Sequence, residues 1–206
     1  MTLFGWLRGR RGTENGRKLE AWRHKWHGAA AAPDAAAVAA LTADLEGLEL
    51  AEEEIEIERE MIDGLAELIK LREAVAREGL PVVETGHRVV GTDICHFSAP
   101  TSMPDDPAQP SGRLILTGAR AIFAGGGRAL TLPWHAISDV VQQERDIVLV
   151  RHDRDAFHRF RCNVYADALC AALLARTLSQ RIRNAKREAV KQEAKKEEAR
   201  KPREAL

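Results

Sequence analysis

Residues 112–134, GRLILTGARAIFAGGGRALTLPW, constrain the fold of this chain more than any other stretch. An apolar run from Leu114 to Leu116 stops at Thr117, a second short run reaches Phe123, and a third closes on Pro133-Trp134. Short β-rich runs bounded by turn formers read as strands, so the spacing predicts a three-strand antiparallel meander. Thr117-Gly118-Ala119-Arg120 supplies one reversal. Gly125-Gly126-Gly127 supplies the positive φ angles that a tight hairpin needs. Three glycines also suggest a phosphate cradle, but that requires a helix N-terminus directly afterwards. A strand-like run follows instead, so the triplet is a turn.

From Gly112 onward the sequence resembles the GRAM branch of the pleckstrin-homology superfold. The matching residues are Gly112, Leu114, Leu116, Thr117, Arg120, Phe123, Pro133, Trp134 and Ile137, followed by strands at 146–152 and 157–162 and an apolar helix from about Tyr165. The resemblance covers residues 82–180. It implies an α+β chain in which an antiparallel β-barrel or sandwich is capped by its C-terminal helix, with the Trp134 ring in the core. It also implies a module that docks lipids or proteins without catalysis. Lipid-binding members carry Lys or Arg in the loop after the first strand. The irregular segment 98–112 has four prolines, no basic residue and the pair Asp105-Asp106, a departure that argues against phosphoinositide binding.

The formal net charge is +0, yet the charges are segregated. Residues 1–28 hold 7 basic and 2 acidic side chains, 29–80 hold 4 and 14, and 176–206 hold 11 and 5. Basic ends around an acidic block point to self-association or an anionic partner. Three cysteines, Cys95, Cys162 and Cys170, are odd in number and lack framework spacing, which fits buried thiols in the cytoplasm. There is no apolar run of ~20 residues to span a bilayer and no signal-peptide core. His24 and His27 have no clustered co-ligands, so neither a metal nor any other cofactor is expected.

Residues 1–12, MTLFGWLRGRRG, place Phe4 and Trp6 beside Arg8, Arg10 and Arg11. Such a terminus inserts rings at a membrane surface while its arginines meet lipid phosphates; the alternative is a flexible or internally packed tail. Leu19, Trp22 and Trp26 then recur at helical spacing as packing residues. From Pro33-Asp34 to Gly79 there is no proline, and apolar residues from Val38 to Ile69 recur at three-, four- or seven-residue steps. A continuous helix there is roughly 65 Å long, more than a ~100-residue β-domain covers. Its stripe therefore needs a second copy, as in a coiled coil, or another helix. Gly47 and Gly64 are the positions for a bend or break. The glutamates of 52–58 spread around the helix as a solvated acidic face. The last helix carries Leu169, Leu173, Leu174, Leu178 and Ile182, and beyond about Arg183 charge takes over. That tail lacks the interleaved aromatics of a nucleic-acid binder.

No Ser-centred elbow, Cys/His nucleophile signature or phosphate-loop motif is present, and an enzyme is not expected. On the segment 151–161, alternation turns Phe160 and Cys162 inward and leaves Arg159 and Arg161 outside. Those arginines form either an anion-binding face or a charged edge that resists strand pairing. The sequence therefore divides into a basic segment with a short helix (1–32), a long acidic helix (33–80), the GRAM-like domain (81–183) and a charged helical or disordered tail (184–206). Two functions compete: a scaffold that docks a protein partner or self-associates through its helices, and a peripheral binder of anionic lipid.

Overall fold

The computed structural model describes residues 14–153 and 156–200. The chain divides into two compact units, one of helices up to Gly79 with Asn163–Cys170, the other of Leu80–Cys162 with the chain from Ala171.

The helical unit contains α1 (Glu14–Ala31), α2 (Ala35–Glu46), α3 (Glu52–Glu78) and the first turns of α4 (Tyr165–Arg200). Asp34 caps α2 by accepting the Ala37 N–H at 2.7 Å, which satisfies a donor the helix cannot use. Three glutamates open α3, where the helix dipole favours negative charge, and Gly79 ends it with φ 87°. Leu19, Trp22 and Trp26 are all buried, and each indole does two jobs. Its ring fills the core while its N–H reaches a carbonyl on another helix: Trp22 Nε1 donates to Leu41 O at 2.9 Å, and Trp26 Nε1 to Met61 O at 2.8 Å. Leu41 and Leu45 on α2 and Ile55, Met61, Leu65 and Leu68 on α3 are buried, so much of the stripe is covered within one chain and does not require a second copy.

The acidic helix breaks at Gly47, one of the two positions expected for it, and the turn to α3 is completed by Glu49 at φ 52°. Two other expectations change. Gly64, the other candidate, lies inside α3. A Cβ there would stand 3.1 Å from Tyr165 Cβ and Ala166 N, so the glycine admits the start of α4 instead of bending the helix. Glu60 accepts the Tyr165 N–H at 2.7 Å at the same contact, and the Trp26 and Tyr165 rings meet edge to face at 5.7 Å. Finally, the acidic run is not wholly solvated. Glu58 is 0% exposed, and its Oε1 accepts from Arg23 Nε at 2.9 Å.

The second unit is a seven-stranded antiparallel sheet in the order β4-β3-β2-β1-β7-β6-β5. The strands are β1 (Cys95–Ser102), β2 (Ser111–Thr117), β3 (Arg120–Gly125), β4 (Arg128–Pro133), β5 (Ile137–Gln143), β6 (Asp146–Arg151) and β7 (Phe157–Cys162). The meander is β2-β3-β4. Gly126 and Gly127, at φ 59° and 74°, form the tight turn between β3 and β4. Gly112 and Gly125 pair across β2 and β3, and a Cβ on Gly112 would stand 2.3 Å from Ala124 O. Only backbone fits that crossing.

β4 and β5 do not pair, so the sheet stays open, in keeping with a sandwich and not a closed barrel. It nevertheless folds over on itself. β3 and β7 are three strands apart, about 14 Å in a flat sheet, yet the Phe123 and Phe160 rings lie 5.8 Å apart. Trp134 follows β4, fully buried, and its Nε1 donates to Thr117 O at 2.8 Å. Thr117 in turn accepts the Arg120 N–H at 3.1 Å, and Arg120 pairs with Asp93 at 2.9 Å. The Thr-x-x-Arg spacing thus builds a turn.

The expected loop at 98–112 is shorter than its prolines suggest, because 98–102 and 111–112 belong to β1 and β2. Pro100 is tolerated within β1 because β7 pairs with β1 only at Thr101 and Ser102, so a missing N–H beside that gap breaks no ladder. In the same unit α4 runs along the edge strand β5, where Arg176 Nε donates to Val140 O at 3.0 Å and Arg183 to Ser138 O at 3.1 Å. α4 continues to Arg200, with residues 183–193 largely exposed.

Candidate functional site

The sequence placed Arg159 and Arg161 on the outer face of β7, and both are there, with Phe160 and Cys162 buried between and beyond them. Neither guanidinium is idle. Arg161 grips Asp146 with two parallel bonds, Nε to Oδ1 at 2.8 Å and Nη2 to Oδ2 at 2.9 Å. That bond raises the Arg161 pKa above its usual value. Arg159 bonds Asp105 from the β1–β2 loop and lies 3.6 Å from Asp146. An external anion at this face would have to displace two carboxylates of the chain itself.

A cleft of about 380 Å³ opens beside this ladder. Met103, Asp105 and Asp106 line it from the β1–β2 loop, Ala129 and Leu130 from β4, and Phe157, His158 and Arg159 from β7. Its loop wall is made of successive turns: Met103 N bonds Pro110 O at 3.1 Å, Gln109 N bonds Asp106 O at 2.8 Å, and the Asp106 side chain accepts the Ala108 N–H at 3.0 Å. Proline supplies the fixed φ that such turns use. Phe157 is 56% exposed, an aromatic left at the surface at the start of a strand whose Phe160 and Cys162 are core. Burial disfavours the charged form of His158, and Arg151 adds repulsion, so its pKa falls below the usual histidine value despite Asp153. The cleft therefore presents an uncharged imidazole, an aromatic ring, an apolar floor and a carboxylate wall.

A shallower hollow of about 330 Å³ lies between α2 and α3, floored by Leu45, Ile55 and Ile62 and flanked by Glu46 and Asp63. Arg59 on its rim is bound to Glu52 at 2.6 Å. Among the described residues, no three His, Cys, Asp or Glu side chains converge as a metal site, and no helix is long and apolar enough to cross a membrane. The cysteines are free thiols, Cys95 and Cys162 buried. Burial, with Asp167 and Glu67 adding to it, pushes Cys170 up to about 12. Phe4, Trp6, Arg8, Arg10 and Arg11 lie outside the described residues.

Sequence reasoning did not single out Phe157, Met103 or the β4 edge. Phe157 follows the polar run 151–155 and looks like an ordinary strand residue. Only the limited pairing of β1 with β7 shows that its neighbourhood is open.

No family model matches the chain, and no curated protein matches it. Among solved structures it is similar to the C-terminal domain of an unknown protein from Leishmania infantum, at 16% identity and TM-score 0.37, covering 52% of this chain and 97% of that one. An inner membrane complex sub-compartment protein from Toxoplasma gondii is similar at 10% identity and TM-score 0.37, over 56% of this chain and 92% of that one. The DH/PH domains of p115-RhoGEF are similar at 7% identity and TM-score 0.37, over 68% of this chain and 48% of that one. Likeness at this level assigns neither a family nor a function.

Proposed function

We propose that this chain is a non-catalytic interaction module of the cytoplasm, in which a pleckstrin-homology or GRAM-like sheet unit docks a protein partner and the helices serve as its scaffold. The observation that carries the reading is the open cleft between β4 and β7, with Phe157 exposed at its side. Exposed aromatics in a concave apolar setting are the usual anchors of protein recognition. The succession of meander, further strands and closing helix supports the fold assignment. The same surface is poorly suited to inositol phosphates, because the 103–110 loop has no Lys or Arg and Arg159 and Arg161 are held by carboxylates.

The competing reading is a peripheral membrane binder that uses Phe4 and Trp6 with Arg8, Arg10 and Arg11. Co-sedimentation with vesicles, with and without anionic lipid, separates the two. The docking reading expects the full chain to remain in the supernatant with both. Pelleting with anionic vesicles that disappears when residues 1–12 are deleted would favour membrane binding. Each arginine near an anionic surface contributes ~1 kcal/mol, and that term fades as salt shortens the Debye length from ~10 Å at 0.1 M to ~3 Å at 1 M.

A further inference from the structure

The hollow between α2 and α3 lies in a field of one sign. Residues 35–63, which include every residue that lines it, carry ten acidic side chains and one basic one. That one, Arg59, is bonded to Glu52. From α1, Lys25 answers Asp44 and Arg23 answers Glu58, while Glu54 and Glu60 have contacts of their own. The excess does not depend on these pairings, because residues 14–79 hold 16 acidic and 8 basic side chains in all. At the rim of the hollow, Glu46 has no ion pair among the described residues. Asp63, also on the rim, is felt by Lys70, which is itself bonded to Glu67. An apolar floor under such a rim suits an occupant that is both hydrophobic and cationic.

One such segment is tethered beside it. Residues 1–12 of the same chain hold Leu3, Phe4, Trp6 and Leu7, three arginines and no acidic side chain. Thr13 joins them to α1, and α1 fixes where they are delivered. Arg23 meets Glu58 and Trp26 meets Met61, both 35 residues apart, so α1 runs parallel to α3. The same offset sets Glu14 level with Glu49, in the α2–α3 turn between Glu46 and Ile55. From Ile55 the hollow extends along α3 to Asp63, ~12 Å at ~1.5 Å per residue. A stretch of about ten residues, fully extended, reaches roughly 33 Å. Phe4 and Trp6 are therefore within reach of the whole hollow. A tether this short gives an effective concentration on the order of millimolar, an advantage that no free ligand has.

We infer that the hollow is the seat of the chain's own residues 1–12, with a ring of Phe4 or Trp6 on Leu45, Ile55 and Ile62 and with Arg8, Arg10 and Arg11 against carboxylates of α2 and α3. This goes beyond docking by the sheet unit and does not rest on it. Seating takes up the same rings and arginines that the membrane reading uses, so the hollow and an anionic bilayer compete for one segment.

The test uses the full chain with ¹³C-labelled Leu and Ile methyl groups, observed by NOE spectroscopy. The rings of Phe4 or Trp6 should show NOEs to the methyl groups of Leu45, Ile55 and Ile62. Replacing Phe4 and Trp6 together by Ser should abolish them and shift those methyl resonances, while the resonances of the sheet unit stay in place. Replacing Arg8, Arg10 and Arg11 together by Gln should weaken the NOEs several-fold, since the arginines supply the charge complement. Intensities unchanged in that variant would overturn the charge assignment. Unlabelled wild-type chain added to the labelled Phe4→Ser/Trp6→Ser variant should restore no NOE. Restoration would place the segment of a second copy in the hollow and overturn seating within one chain. Absence of NOEs from both rings of the wild type to all three residues would overturn the inference, whether or not the sheet unit docks a partner.

Discussion

The buried indoles and Glu58 of the helical unit are bonded within that unit, whereas the sheet unit ends on β4, one edge of which has no ladder partner among the described residues. In the helices, two indole N–H groups are spent on carbonyls of neighbouring helices, and the buried Glu58 is matched by Arg23. The glycine at position 64 removes the side chain that would hold α4 away. In the sheet, one terminal strand is covered by arginines of α4 while the other terminal strand, β4, borders a cleft with an exposed phenylalanine. A surface already satisfied internally has little to offer a partner. The proposal of docking by the sheet unit rests on this difference.

Substitutions in the two units sharpen this contrast. The largest effect is expected at Trp134, where Trp134→Ala removes a fully buried ring and leaves Thr117 O without its donor. A loss of ~3–5 kcal/mol is expected in urea unfolding. Next comes the buried pair of the helical unit, whose two halves should behave unequally. Arg23→Met strands Glu58 in the core at a cost of about 3 kcal/mol. Glu58→Met leaves an arginine whose side chain is 28% exposed and can rehydrate, so less than about 1 kcal/mol should be lost. Equal losses would show that the pair is not buried as described.

Glycines separate in the same way. Gly112→Ala forces a Cβ into the β3 backbone and should cost ~1–3 kcal/mol by thermal melting. Gly28→Ala, inside α1 with nothing within 4 Å, should stabilise by up to ~1 kcal/mol. The smallest effect concerns His158. Its folded pKa is lowered, so the unfolded chain binds the proton more readily. The contribution is intact above the unfolded value of about 6.5 and is lost as pH falls below it. His158→Gln should therefore lose less stability than the wild type between about pH 7.5 and about pH 5.5, as read from urea midpoints.

Much of the sheet was legible because its signals are local. Turn residues at Thr117 and Gly125–Gly127 and the apolar runs between them follow from neighbours in sequence, while the burial of Trp134 was what the family resemblance implied. Where the reading went astray, the deciding partner was remote. Gly47 and Gly64 look alike in a helical pattern, and only Tyr165 and Ala166, a hundred residues on, distinguish a break from a close contact. Glu58 is one glutamate in a run, and its burial depends on Arg23, 35 residues earlier. The four prolines at 100–110 read as a loop, but Pro100 sits in a strand because β7 pairs with so little of β1. Arg159 and Arg161 were placed on the correct face, yet their carboxylate partners come from β6 and from the β1–β2 loop.

The most direct test of the contrast is the mass of the full chain in solution, since the apolar stripe from Val38 to Ile69 either is covered within one chain or needs a second copy. Light scattering across micromolar concentrations should give a single mass near 22.8 kDa. A mass that rises towards twice that value with concentration, and falls back when stripe residues such as Ile55 and Ile62 are made polar without unfolding the chain, would contradict the account.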